Sequence, residues 1–110
     1  MTTDLNYLKS MTDGDKGLIS ELIGIFSTQV EEYGIQMQLF HGEKNWKELS
    51  KLAHKAKSSV AIMGMKNLAE EMKQLEILAS KEEETDKYLS YIDHFTNQCQ
   101  QAVLELQEYK

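Results

Sequence analysis

The sequence predicts an all-α protein: an antiparallel up-down-up-down four-helix bundle with a short extra helix at its N-terminus. Three observations predict it. The 110 residues contain no proline, so nothing in the chain forbids long helices. Met, Leu, Glu, Lys and Gln, all good helix formers, are abundant. Apolar residues recur three and four apart through four long stretches separated by brief turns, and short connections make consecutive helices antiparallel neighbours. With no break in composition, one domain with one modest core is expected over residues 1–110.

The first element is expected at about 4–11, where Leu5 and Leu8 pack a short helix across one end of the bundle. Thr12-Asp13-Gly14-Asp15 is a stop-and-start signal: Gly14 suits a left-handed position after a helix, and Asp15 suits the N-cap of the next. The second helix spans about 15–41, with Leu18, Leu22, Ile25, Phe26, Tyr33, Met37 and Phe40 facing inward and Gly42 ending it. The third spans about 43–63 and closes at Gly64. The fourth, at about 66–79, carries Leu68, Met72, Leu75 and Leu78 at helical spacing. A polar connection over 80–84 leads to the last helix, about 85–108, with Tyr88, Tyr91 or Ile92, Phe95, Cys99, Val103 and Leu106 inward.

Function concentrates in the third helix. Trp46, Leu49, Ala53, Ala56, Val60 and Met63 form one stripe, the core seam of a bundle helix. At about 100° per residue, His54 falls roughly 130° from the centre of that stripe and faces water. Its nearest neighbours on the outer face are Ser50, Ser58 and Ala61, all small, with Lys51 and Lys57 three residues before and after it. An exposed imidazole in a gap between short side chains, flanked by ammonium groups, is a nucleophile that a bulky anion can reach. Residue types alone favour a plain surface histidine, since most exposed histidines do nothing.

The formal charge of −6 argues against nucleic acid as the main partner, because backbone binding needs a basic surface. The charge is unevenly placed. Lysines 44, 47, 51, 55 and 57 outnumber Glu43 and Glu48 over 43–57, while acids dominate elsewhere, as in Glu82-Glu83-Glu84. Such a patch suits docking to a small acidic site; a lysine-rich solvated face has the same composition.

The run Ala53-His54-Lys55-Ala56-Lys57-Ser58-Ser59, followed by Gly64, Leu68, Met72 and Leu75-Glu76, resembles the signature of histidine-containing phosphotransfer (HPt) domains. These domains relay phosphoryl groups in two-component signalling. The family's form is an Ala-His pair, a Lys one turn later, small residues, a Gly beyond them, and a Leu and a Leu-Glu pair on the next helix. Asn45, Trp46 and Leu49 also fit its approach to the helix. Ser58 departs from the pattern, Gly being commoner there; serine is still small, with slightly less clearance.

The resemblance implies a phosphorelay intermediate. His54 is expected to accept a phosphoryl group from a receiver-domain phospho-aspartate and pass it to another receiver, with Lys57 contacting the transferring group. Ser50, Lys51, Ser58 and Ala61 are expected in the docking face, and Gly64 in a structural role. The implied partners are response-regulator receiver domains, a hybrid sensor histidine kinase, or both. No cofactor is expected in this chain, Mg²⁺ being supplied by the receiver, and no kinase or phosphatase activity of its own. The alternative is a non-catalytic helical adaptor with an HPt-like bundle, although degenerate adaptors usually lack the histidine that this chain carries.

The remaining residues add little chemistry. His41, His54, His94 and Cys99 lack the spacing of a metal site. His41 is expected at a helix C-terminus, and Cys99 as a small apolar filler. A lone cysteine suits a reducing compartment, and neither a signal-peptide core nor a membrane-length apolar run is visible. A cytoplasmic monomer is expected, and Met1 with the compact length points to a stand-alone protein.

Overall fold

A computed structural model describes residues 2–109; Met1 and Lys110, the ends of the expected 1–110 domain, lie outside the described residues. Five helices follow one another: α1 (Asn6–Met11), α2 (Lys16–Gly42), α3 (Trp46–Ile62), α4 (Lys66–Lys81) and α5 (Tyr88–Leu106). A 3-10 turn, Thr85–Lys87, leads into α5, and another, Gln107–Tyr109, follows it. Among the described residues there is no strand. The fold is therefore the all-α bundle with an extra N-terminal helix that the sequence predicts. Its longest dimension, 42 Å, is set by α2, whose 27 residues span about 40 Å at 1.5 Å per residue.

The four long helices pack in a ring, α2 beside α3 and α5, and α4 beside α3 and α5, with α3 and α4 making the most extensive pairing. Phe26, Met37, Leu49, Val60, Met72, Leu75, Tyr88, Ile92 and Phe95 are buried inside. Truncating a large core side chain of this kind to Ala costs about 2–5 kcal/mol. Tyr88 brings a polar end into the core margin. Its hydroxyl shares its proton between the carbonyl oxygens of Leu78 (2.8 Å) and Glu83 (2.6 Å), which ties the α4–α5 connection to α5.

Each helix end has a local cause. The Asp15 carboxylate accepts the Leu18 amide and starts α2, as expected. Asn45 caps α3 in the same way through Glu48 N–H, so α3 begins three residues after the expected start. After α1 the left-handed conformation begins one residue before Gly14, at Asp13 (φ 54°), with Gly14 also at φ 75°; aspartate tolerates this region through its short polar side chain. The Gly14 amide then reaches back to the Lys9 carbonyl and closes the helix end. Gly42 is the last residue of α2, and it is Lys44, at φ 55°, that turns the chain.

The inward face of α2 differs from expectation. Phe26 and Met37 are buried and Leu22, Tyr33 and Phe40 are partly buried, but Leu18 and Ile25 are exposed, while Ile19, Ile23 and Val30 fill the core. The pairs Leu18-Ile19 and Leu22-Ile23 and the run Ile25-Phe26 make two adjacent faces apolar, and the position of α3 and α5 selects between them. In the other helices the buried sets follow the expected stripes, except that Trp46, Leu78 and Val103 are only partly buried and Leu52, Ala79 and Ala102 are added.

Candidate functional site

His54 stands on the outer surface of α3, its side chain 60% exposed. Its Nδ1 lies 3.0 Å from Oε2 of Glu76, which projects from α4. The other carboxylate oxygen of Glu76 accepts from Lys57 Nζ at 3.3 Å. The backbone carbonyl of Glu76 accepts from Ser50 Oγ at 2.8 Å. One residue of α4 thus meets three residues of α3, spaced one turn apart on one edge of the helix.

This arrangement assigns the ring's protons. An ionised carboxylate only accepts hydrogen bonds, so a neutral His54 must carry its proton on Nδ1 and donate it to Glu76. Nε2 is then left with a free lone pair, directed away from the Glu76 contact. The carboxylate also fixes ring orientation, as an acidic partner does for a catalytic imidazole elsewhere. Lys57 balances the negative charge that Glu76 places next to the ring.

The sequence-predicted residues are distributed as follows. Ser58 and Ala61 are exposed beside His54 and leave it uncovered. Lys51 is exposed and pairs with Glu48 at 3.6 Å, a contact of little energetic weight at the surface. Lys57 is partly buried against Glu76 rather than free. Ser50 requires a correction: expected on the exposed docking face, it is only 9% exposed. It lies about 90° from the core stripe by helix geometry, on the edge that α4 covers, and its hydroxyl is used by the Glu76 carbonyl. It braces the site from below.

Gly64 closes α3 with φ 75°. Its amide bonds to the Ala61 carbonyl and the next amide, that of Met65, to Val60. A Cβ here would lie 2.1 Å from the carbonyl oxygen of Asp4, whose own amide donates to the Met63 carbonyl at 3.0 Å. The glycine therefore serves both the turn and the close passage of the N-terminal segment.

The sequence motif contains Glu76 but assigns it no task. The signal was present: its neighbour Leu75 is a core position, so Glu76 emerges at the edge of the α3–α4 seam. A second histidine–carboxylate pair went unanticipated, His94 Nδ1 on α5 lying 2.6 Å from Glu71 Oε1 on α4. One turn after His94 stands Asn97 rather than a lysine. Cys99 is buried, and burial raises its thiol pKa to about 12, which makes it inert. His41 sits in the last turn of α2, edge-on to Trp46.

Among the described residues, no helix is long and apolar enough to cross a membrane. A family model described as the Hpt domain matches residues 21–108, a span that includes His54, Lys57 and Glu76. Searches of the curated proteins and of the solved structures gave no match.

Proposed function

Since the chain belongs to the Hpt domain family, whose domains serve histidine phosphotransfer in two-component phosphorelays, we propose that His54 is the residue that carries the phosphoryl group. The observation that supports this most is the Glu76 contact, which holds the ring in one orientation and, in a neutral ring, leaves the Nε2 lone pair free on a side chain that is 60% exposed. Hpt domains interact with receiver domains and histidine kinases. We take the donor here to be a receiver-domain phospho-aspartate and the acceptor a second receiver.

In the transfer step the Nε2 lone pair attacks phosphorus. The N–P bond forms as the bond between phosphorus and the aspartyl oxygen breaks, and the aspartate leaves as a free carboxylate. Positive charge develops on the ring as the N–P bond forms, and the Nδ1–H···Glu76 hydrogen bond stabilises it where it appears. Phosphoryl transfer depends mainly on positioning and electrostatics. Lys57 offsets the charge of Glu76, which would otherwise repel the incoming anion, and stands one helical turn from His54, where its ammonium group can meet the equatorial oxygens of the transferring group. Ser58 and Ala61 act by being small, and Lys51 adds positive charge to the docking rim. Mg²⁺ belongs to the receiver in this scheme. The protein acts as a monomer in the cytoplasm.

The test is transfer of radiolabelled phosphate from a panel of phosphorylated receiver domains to wild type and to His54→Gln. Acid-labile, base-stable label on wild type alone is the expected result. Binding to receivers without uptake of label would instead support the adaptor reading.

A further inference from the structure

The pair α2 and α5 forms the side of the bundle opposite α3 and α4. Along it runs an open groove of about 840 Å³. Gly24, Ser27 and Gly34 keep its α2 wall low, and a hydrogen bond from Gln38 to Asp93 joins the two helices beside it. The rims carry Ile35 and Leu104, which are 64% and 68% exposed. Apolar side chains this open, lining one continuous depression, mark a contact surface rather than scattered surface residues.

Charge narrows what fits there. Residues 17–43 and 88–109 contain no lysine or arginine, while Glu21, Glu31, Glu32 and Asp93 are exposed along them. Glu31 lines the groove itself. A second copy meeting this face symmetrically would set these carboxylates against one another, and like charges in an interface are unfavourable. A cationic partner gains from the same field. The groove runs along residues 24–38 of α2, a length of about 21 Å at 1.5 Å per residue, which is about four turns of a helix lying alongside.

We propose that the α2–α5 groove receives an amphipathic helix of a partner protein, apolar toward the groove and bearing lysine or arginine along its flanks. Such helices seat their apolar side chains at i, i+3, i+4 and i+7 in a hydrophobic groove. This site is separate from His54 and does not depend on the role given to that residue. A helix bound here tethers the domain while leaving the α3–α4 face open.

The experiment is titration of the isotopically labelled chain with a synthetic peptide of about 15 residues, leucines at that spacing and lysines on both flanks. Amide shifts confined to residues 24–38 and 96–104 are expected. Affinity should fall about tenfold for the exposed-site variant Ile35→Ser/Leu104→Ser, and also for Glu31→Lys, which tests the charge separately. A glutamate-flanked peptide should not bind. Equal binding of that peptide, shifts centred on α3 and α4, or no shift at millimolar peptide overturns the proposal. Dimerisation of the chain that Ile35→Ser/Leu104→Ser abolishes would assign the groove to a second copy and overturn it as well.

Discussion

Glu76 Oε2 lies 3.0 Å from His54 Nδ1, so a side chain on one helix sets the aim of an exposed imidazole on another and, in the neutral ring, the nitrogen that carries the proton. The contact is only as good as the α3–α4 pairing beneath it. Ser50, which bonds to the carbonyl of the same glutamate, fixes that pairing at the level of the site. Lys57 on the second carboxylate oxygen completes a unit in which orientation, charge balance and packing share one residue.

Removing members of this unit should have graded effects. Glu76→Ala is expected to slow uptake of phosphate by about tenfold, as loss of a charge-assisted hydrogen bond of roughly 1.5 kcal/mol implies. Glu76→Gln, which still accepts from Nδ1–H, should slow it less. Lys57→Ala is expected to slow transfer or shorten the lifetime of the phosphohistidine. Single-turnover transfer from a phosphorylated receiver measures all three, and an unchanged rate and lifetime in Lys57→Ala would reduce that residue to a solubility role.

The small residues around His54 give a steric prediction. Ser58 and Ala61 are exposed, so Ser58→Arg and Ala61→Trp should leave the fold intact while blocking receiver docking. Circular dichroism checks the first part and phosphotransfer the second. Transfer at the wild-type rate in either variant would mean that receivers approach from another side.

The glycines separate backbone effects from packing. Gly64→Ala combines a left-handed φ, costing about 1–2 kcal/mol, with a Cβ 2.1 Å from the Asp4 carbonyl oxygen. It should lower the denaturant midpoint and remove hydrogen-exchange protection at the Asp4 amide. Gly24→Ala, inside α2 with nothing near the new carbon, should raise stability by about 0.5–1 kcal/mol.

Acid sensitivity has one identified source. Burial pushes the Glu105 carboxyl up, but hydrogen bonds from Thr2 and Thr3 outweigh it and bring its pKa from 4.5 down to about 2. The folded state then binds fewer protons than the unfolded one. This anchor of the N-terminal segment therefore stabilises fully above about pH 4.5 and is lost as pH falls toward about 2. Urea denaturation of wild type and Glu105→Gln should differ at neutral pH and converge in strong acid.

The parts of this account that a sequence carries are those with one periodic solution. The α3 stripe from Trp46 to Met63 has a single apolar face, so both the core side and the exposure of His54 followed from it. In α2, two neighbouring faces are apolar, and the choice of Ile19 and Ile23 over Leu18 and Ile25 depends on where other helices lie. Ser50 failed for a related reason: the helix angle placed it at an edge, and the edge is covered only because α4 sits there. The Glu76 and Glu71 contacts to histidines join residues more than twenty positions apart, a distance across which spacing carries no signal.

The central claim is that His54 accepts the phosphoryl group on Nε2 while Nδ1 stays bonded to Glu76. Long-range proton–nitrogen correlation spectra of the three histidine rings, recorded before and after phosphorylation by a receiver, test it directly. The account predicts an Nδ1-protonated His54 that becomes Nε2-phosphorylated, with His41 and His94 unchanged. Phosphorylation on Nδ1 of His54, or on either of the other two rings, would contradict it.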